Sequence, residues 1–209
     1  MGRSLTYSIA VAAAALLLAA CGGSGGGTAT KSTASPTVKA SNSASTATAN
    51  SPAHAGGGEA VNAAHGGFST MIPRGFTDGL THEEVTNGLE YRAAGPRVHG
   101  FATNVLVFRA ASGGSDVAAL ARRALRNLRT RPSYLPQARG ISSLHALSVD
   151  GEPALAVDYH FAGRRPSYRR QVFVVHGEWA YEISDNASAA GYAASQRVLG
   201  EVLRNWRWQ

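Results

Sequence analysis

Asp158 and His160 stand two residues apart in the stretch Ala154 to Phe161, whose alternation reads as a strand, so both side chains project from one strand face. His145 and His176 fall on other strands of the same reading, and one carboxylate with two imidazoles is a zinc-type ligand set. The competing reading is a solvated rim of polar strand ends, and it is the one we adopt: no metal and no cofactor are expected. Of the remaining histidines, His82-Glu83-Glu84-Val85-Thr86 lacks the second imidazole of H-E-x-x-H, and His54 and His65 lie in a glycine- and alanine-rich region. A serine nucleophile has no G-x-S-x-G to sit in, and His65-Gly66-Gly67 is only an echo of an oxyanion loop. Ser112-Gly113-Gly114-Ser115 could receive an anion on its backbone N–H groups, but it has neither the lysine of a P-loop nor a dinucleotide pattern. No catalytic residue is assigned, and an enzyme is not expected.

Arginine is the other chemistry-bearing residue. Arg122, Arg123, Arg126 and Arg129 recur at helical spacing, followed by Arg131, and Arg164, Arg165, Arg169 and Arg170 crowd a predicted hairpin. Guanidinium groups take carboxylate or phosphate by paired N–H donation. We therefore read Arg122, Arg123, Arg126, Arg129, Arg164 and Arg165 as an anionic-ligand surface, against the plainer alternative of a solvated helix face.

The single cysteine needs an explanation of its own. Arg3 gives the amino terminus a positive charge, and the apolar run near Val11 to Ala20 is too short for a stable membrane span, which is signal-peptide architecture. Leu18-Ala19-Ala20-Cys21 resembles the lipobox of bacterial lipoproteins, and that resemblance makes Cys21 the lipidation site. A lone thiol cannot close an internal disulfide, and two or more acyl chains anchor stably where one is marginal. The M-G-x-x-x-[ST] match at Gly2 is set aside, because an exported chain would not meet the myristoylating enzyme.

Residues 22–66 are rich in Gly, Ser, Thr and Ala and cannot offset the entropy of ordering. They are expected to form a tether whose reach, for about 45 flexible residues, is roughly 35 to 40 Å. The chain of 209 residues thus divides into a signal peptide (1–20), a lipidated tether (21–66) and one folded domain (67–209). Its net charge is +7 and its pI about 10.1, but lysine occurs only at Lys31 and Lys39, and export disfavours nucleic acid as a partner.

The elements that position these residues follow from periodicity. Strands are expected at Phe68–Ile72, Gly88–Ala93, Phe101–Arg109, Ser143–Asp150, Ala154–Phe161, Arg169–His176 and Trp179–Ser184. A helix capped by Ser115 or Asp116 runs to about Thr130, burying Leu120, Ala121, Ala124 and Leu128, with Arg122, Arg126 and Arg129 opposite. A second helix closes the chain from about Ser188 to Arg204, with Trp206 and Trp208 finishing the core. Strands on both sides of a helix predict an α+β, α/β/α sandwich with a mostly antiparallel sheet.

Several phrases fall in a familiar order: Pro73-Arg-Gly-Phe76, Val149-Asp-Gly-Glu-Pro-Ala154, Gln171-Val-Phe-Val-Val175 with Gly177 and Ala180-Tyr181, and Val202-Leu-Arg-Asn-Trp-Arg-Trp208. From Phe68 onward the chain resembles the PsbP-like domains of bacterial lipoproteins, in particular actinobacterial lipoproteins of the LpqN and LpqT type. The resemblance implies the same sandwich used as a binding or assembly module, and it carries no catalytic residues to transfer. The expected function is a non-catalytic, lipid-anchored adaptor on the extracytoplasmic side of the cell membrane, whose partner is another envelope protein. The alternative is a carrier with an apolar cleft for an amphiphilic lipid or glycolipid. Oligomeric state is not readable from the sequence.

Overall fold

The computed structural model describes residues 57–98, 101–130, 138–162 and 166–209. In chain order the elements are β1 (Glu59–Asn62), β2 (Phe68–Ile72), α1 (His82–Thr86), β3 (Leu89–Val98), β4 (Phe101–Ala111), α2 (Val117–Thr130), β5 (Ala138–Arg139), β6 (His145–Val149), β7 (Glu152–Phe161), β8 (Ser167–His176), β9 (Trp179–Ser188), α3 (Tyr192–Arg204) and β10 (Arg207–Trp208). Seven strands form one antiparallel sheet ordered β3-β4-β9-β8-β7-β5, with β6 sharing the outer edge of β7. Turn chemistry sets the registers. Val149 pairs with Glu152 around Asp150 and Gly151, both at positive φ (45° and 88°), the conformation of a tight type I′ hairpin. His176 pairs with Trp179 around Gly177 and Glu178, where Gly177 alone takes a positive φ (57°), the pattern of a type II′ hairpin.

Alternation divides the central strands between two apolar faces. On one face Val157, Tyr159 and Phe173 pack against Ala121, Ala124 and Leu128 of α2. Asp116 starts that helix by accepting the Ala119 N–H at 2.6 Å. On the other face Val105, Val107, Ala154, Ala156, Val172, Val174, Tyr181 and Ile183 are covered by Leu199 and Val202 of α3 and by Phe68, Ile72 and Trp206. A polar stitch crosses this layer where Thr70 Oγ1 donates to the Val202 carbonyl at 2.7 Å. No described helix is long and apolar enough to cross a membrane.

The predicted sandwich is present, with differences at its margins. β2 does not join the main sheet; with β1 and β10 it forms a separate three-stranded sheet beside α3. β1 lies inside the region expected to be tether, so the boundary at 66 is corrected: Glu59–Asn62 pair with Ser69–Ile72 and belong to the fold. A backbone ladder needs no bulky apolar side chain, which is why composition missed it. β9 continues through Ser188, and α3 begins at Tyr192 after a 3-10 turn capped by Ser188.

α1 was not foreseen. It holds only five residues and survives through a capping box: Thr81 Oγ1 accepts the Glu84 N–H at 3.2 Å, and Glu84 Oε2 accepts the Thr81 N–H at 2.9 Å. Arg92 fastens the same carboxylate to β3 at 2.7 Å. Thr81→Ala removes one half of the box, and amide hydrogen exchange of the α1 turn is expected to accelerate about fivefold while β3 amides keep their protection.

Candidate interaction surfaces

Three polar constellations stand on this scaffold. The first is the foreseen arginine face. Arg122, Arg126 and Arg129 line the exposed side of α2, and no carboxylate among the described residues pairs with them. Arg123 is half-buried and reaches the edge of a small cavity shared with Leu120, Ala124, Phe173 and Glu182. That cavity holds about 30 Å³, against roughly 300 Å³ or more for an ordinary ligand pocket, so an acyl chain would have to displace α2 to enter it. Burial pushes the carboxyl of Glu182 at its rim upward, with the Gln171 amide donating to it at 2.6 Å. Arg164 and Arg165, with Cys21 and His54, lie outside the described residues.

Arg169 and Arg170, read above as part of the same crowd, point to opposite faces of β8 and are spent inside the fold. Arg169 donates to Asn186 on the α2 side and lies 5.3 Å from the Phe161 ring centroid. Arg170 belongs to the second constellation, around Asp158. Its Nε and Nη2 donate to the two oxygens of Asp158 at 2.7 and 3.0 Å, and the Tyr192 hydroxyl adds a third bond at 2.9 Å. Burial pulls the Asp158 carboxyl up, but these donors outweigh it and hold the group below the usual carboxylate range. His145 stands 3.9 Å away, while His160 stacks on Tyr168 and His176 is bound to Glu152 beside Trp208. The histidines considered for a metal site are thus separated, and Asp158 is already engaged by three donors. Among the described residues no three His, Cys, Asp or Glu side chains gather to hold a metal ion.

Beneath Asp158, Asp185 of β9 is fully buried, and its Oδ2 accepts from Ser195 Oγ at 2.7 Å and Gln196 Nε2 at 2.6 Å. Its Oδ1 and the Oε1 of Gln196 have no hydrogen-bond partner. Burial, opposed by those two bonds and by the nearby Arg170, pushes the Asp185 carboxyl up to about 6.

The third constellation escaped the sequence reading. His65, assigned to the tether, instead joins a buried ion cluster: its backbone N–H and Nδ1 lie 2.9 Å from the two oxygens of Glu90, which is 1% exposed. Arg109 Nε reaches the same carboxylate at 2.9 Å. The Arg109 guanidinium in turn lies 4.2 Å over the ring of Trp179, the one large apolar side chain classed as exposed among the described residues, at 39%. Gly67 closes the cluster at φ +89°, where a Cβ would sit 2.7 Å from the Tyr181 hydroxyl. The available signal was an arginine at the end of an otherwise apolar strand, followed far along the chain by Gly177-Glu178-Trp179. Their proximity depends on β4 pairing with β9, which places Arg109 opposite Tyr181 and Ala111 opposite Trp179.

No protein-family model matches this chain, and no curated protein sequence does. Its fold is shared with solved structures at low identity. LpqN, a protein involved in cell envelope biogenesis of Mycobacterium tuberculosis, superposes with a TM-score of 0.56 at 11% identity, over 75% of this chain and 87% of its own. The cyanobacterial PsbP (CyanoP) of Synechocystis sp. PCC 6803 gives 0.51 at 9% identity, over 72% and 92%. The mostly antiparallel α+β sandwich expected from the sequence is therefore the fold of PsbP and LpqN.

Proposed function

We propose that this chain is a non-catalytic, membrane-anchored binding module of the cell envelope, an adaptor that holds a protein partner through Trp179. The observation that carries this reading is the Trp179–Arg109–Glu90 stack. An indole left at the surface costs hydration, and here its conformation is paid for in advance by a guanidinium that a buried carboxylate holds in place. Tryptophan and arginine are the residue types that dominate protein interfaces, because a rigid aromatic anchor delivers much contact area at little entropic cost. Glu178, next to Trp179 in the β8–β9 turn, and His65, which shares the Glu90 carboxylate with Arg109, supply polar neighbours of the kind that border such anchors. Attachment through Cys21 and the tether that follows it keeps the module near its membrane, and the sharing of a fold with LpqN supports an envelope role.

The test is site-specific photocrosslinking in cells from a benzophenone residue at Glu178, next to the anchor. One discrete crosslinked protein is expected. Trp179→Ala should weaken its capture at least roughly 30-fold, whereas Trp179→Phe retains most of it. Crosslinks that are absent, or indifferent to Trp179→Ala, would overturn the adaptor reading.

A further inference from the structure

The exposed charges of the domain differ between its two ends, with Asp150 and Glu152 at the acidic tips met by Arg207 and His176. Where β6 turns into β7 and β8 into β9, the tips carry Asp150, Glu152 and Glu178, and Asp116 starts α2 at that same end of the sheet, where β4 stops. At the opposite end stand Arg97, beside the β3–β4 connection, Arg129 in the last turn of α2, and Arg139 on β5 opposite His160. Arg126 and Arg122 continue this line back along α2. The five arginines Arg97, Arg122, Arg126, Arg129 and Arg139 are exposed, and no carboxylate among the described residues pairs with them. Asp158, which lies toward the same end, is consumed by Arg170 and Tyr192.

Where the chain enters the domain points the same way. Gly57 lies beside Arg74, with a Cβ position 3.8 Å from its Nη2, and Gly58 lies against Met71 and Ile72. Three residues beyond Arg74, Thr77 bridges Ala94, in the part of β3 that leads to Arg97. The first described residues therefore lie on the side of the molecule that holds the basic end.

We propose that this basic end rests on anionic lipid head groups of the membrane to which the chain is anchored, turning the acidic end with Trp179 outward. A dipolar charge distribution exerts a torque near a charged surface, and guanidinium groups take phosphate by paired N–H donation. Along α2, Arg126 and Arg122 lie about 4.5 and 10.5 Å behind Arg129, so Arg129 meets the head groups first and the other two add to the field that draws this end toward the surface. This orientation rests on the anchoring proposed above and gives it a consequence: the partner site faces away from the lipid.

The experiment uses the mature, acylated full chain reconstituted in phosphatidylcholine vesicles with and without phosphatidylglycerol. A nitroxide is placed at Thr130→Cys, beside Arg129, or at Glu178→Cys on the acidic end, and collision with a water-soluble nickel reagent is measured. With anionic lipid the Thr130→Cys label is expected to become shielded while the Glu178→Cys label stays open. High salt, which shortens electrostatic reach to about 3 Å at 1 M, should reopen it. Neutralising Arg122, Arg126 and Arg129 together to Gln should shift the contact equilibrium about 100-fold, roughly fivefold per charge. Equal collision at both labels in both lipid compositions overturns the orientation, provided the protein floats with the vesicles. Failure to float even on neutral vesicles would instead refute the anchoring.

Discussion

Trp206→Ala is expected to lower the free energy of unfolding by about 4 kcal/mol, toward the upper range for removal of a buried aromatic. Trp206 is 0% exposed and stacks on Phe68 with ring centroids 3.8 Å apart and planes within 11°. Tyr181 and Trp208 meet it edge-on at 6.4 and 5.2 Å. The side chain thus packs at the junction of three pieces: the end of α3, the small sheet and β9. Truncation leaves a cavity at their junction that backbone shifts cannot close without unstacking Phe68. Its indole Nε1–H is buried without a hydrogen-bond partner, so Trp206→Phe removes an orphaned donor while preserving an aromatic stack. That variant should cost about 1.5 kcal/mol or less. Urea unfolding followed by far-ultraviolet dichroism measures both. Similar losses for the two variants would show that indole volume, rather than the stack, is what the junction requires.

Asp185→Asn is expected to do the reverse and stabilise the domain at neutral pH. The folded-state carboxyl titrates at about 6 against 3.8 for the free group. A group raised in this way favours the folded state fully below its unfolded value, and the benefit is lost as pH rises through the folded value. The window is therefore pH 4 to 6, and above it the ionised carboxylate costs roughly 3 kcal/mol. The charged and titratable groups around Asp185 are Arg170 on β8, Asp158 on β7 and Tyr192 at the start of α3, with Ser195 and Gln196 as neutral donors. Arg170 offsets only part of the desolvation, because Asp158 holds its guanidinium bidentately. Asparagine keeps an acceptor for Ser195 and Gln196 and carries no charge. Its advantage should grow from near zero at pH 4 to about 3 kcal/mol at pH 7.5, read from urea midpoints across that range. A variant equally destabilised at both pH values would mean that the Arg170 field, not desolvation, governs this site. Asp158 titrates in the opposite sense: its depressed carboxyl supports the fold above the unfolded value and loses that support as acid protonates it.

The same two residues show how far the chain could be read without its fold. Trp206 was legible as core, because an aromatic pair after an amphipathic helix has little else to do. Asp185 was not, since ending β9 at Ser184 followed from the run of polar residues after it. Asp185, Asn186 and Ser188 are in fact buried strand residues. They are tolerated because α3, Asn104 and the 3-10 turn supply their hydrogen-bond partners, and those partners come from elsewhere in the sequence.

Residue order alone was enough for the class of sheet, the helix whose arginines face outward, the hairpin turns and the burial of alternate positions. Each of these depends on side-chain period or on backbone preferences within a few residues. It took the folded chain to show that β1 belongs to the domain, that Arg169 and Arg170 are spent internally, and that His65, Glu90, Arg109 and Trp179 form one cluster. Charge pairing and exposure are relations between residues brought within a few ångströms by strand register, and positions 19 to 114 residues apart acquire them only when β3, β4 and β9 align.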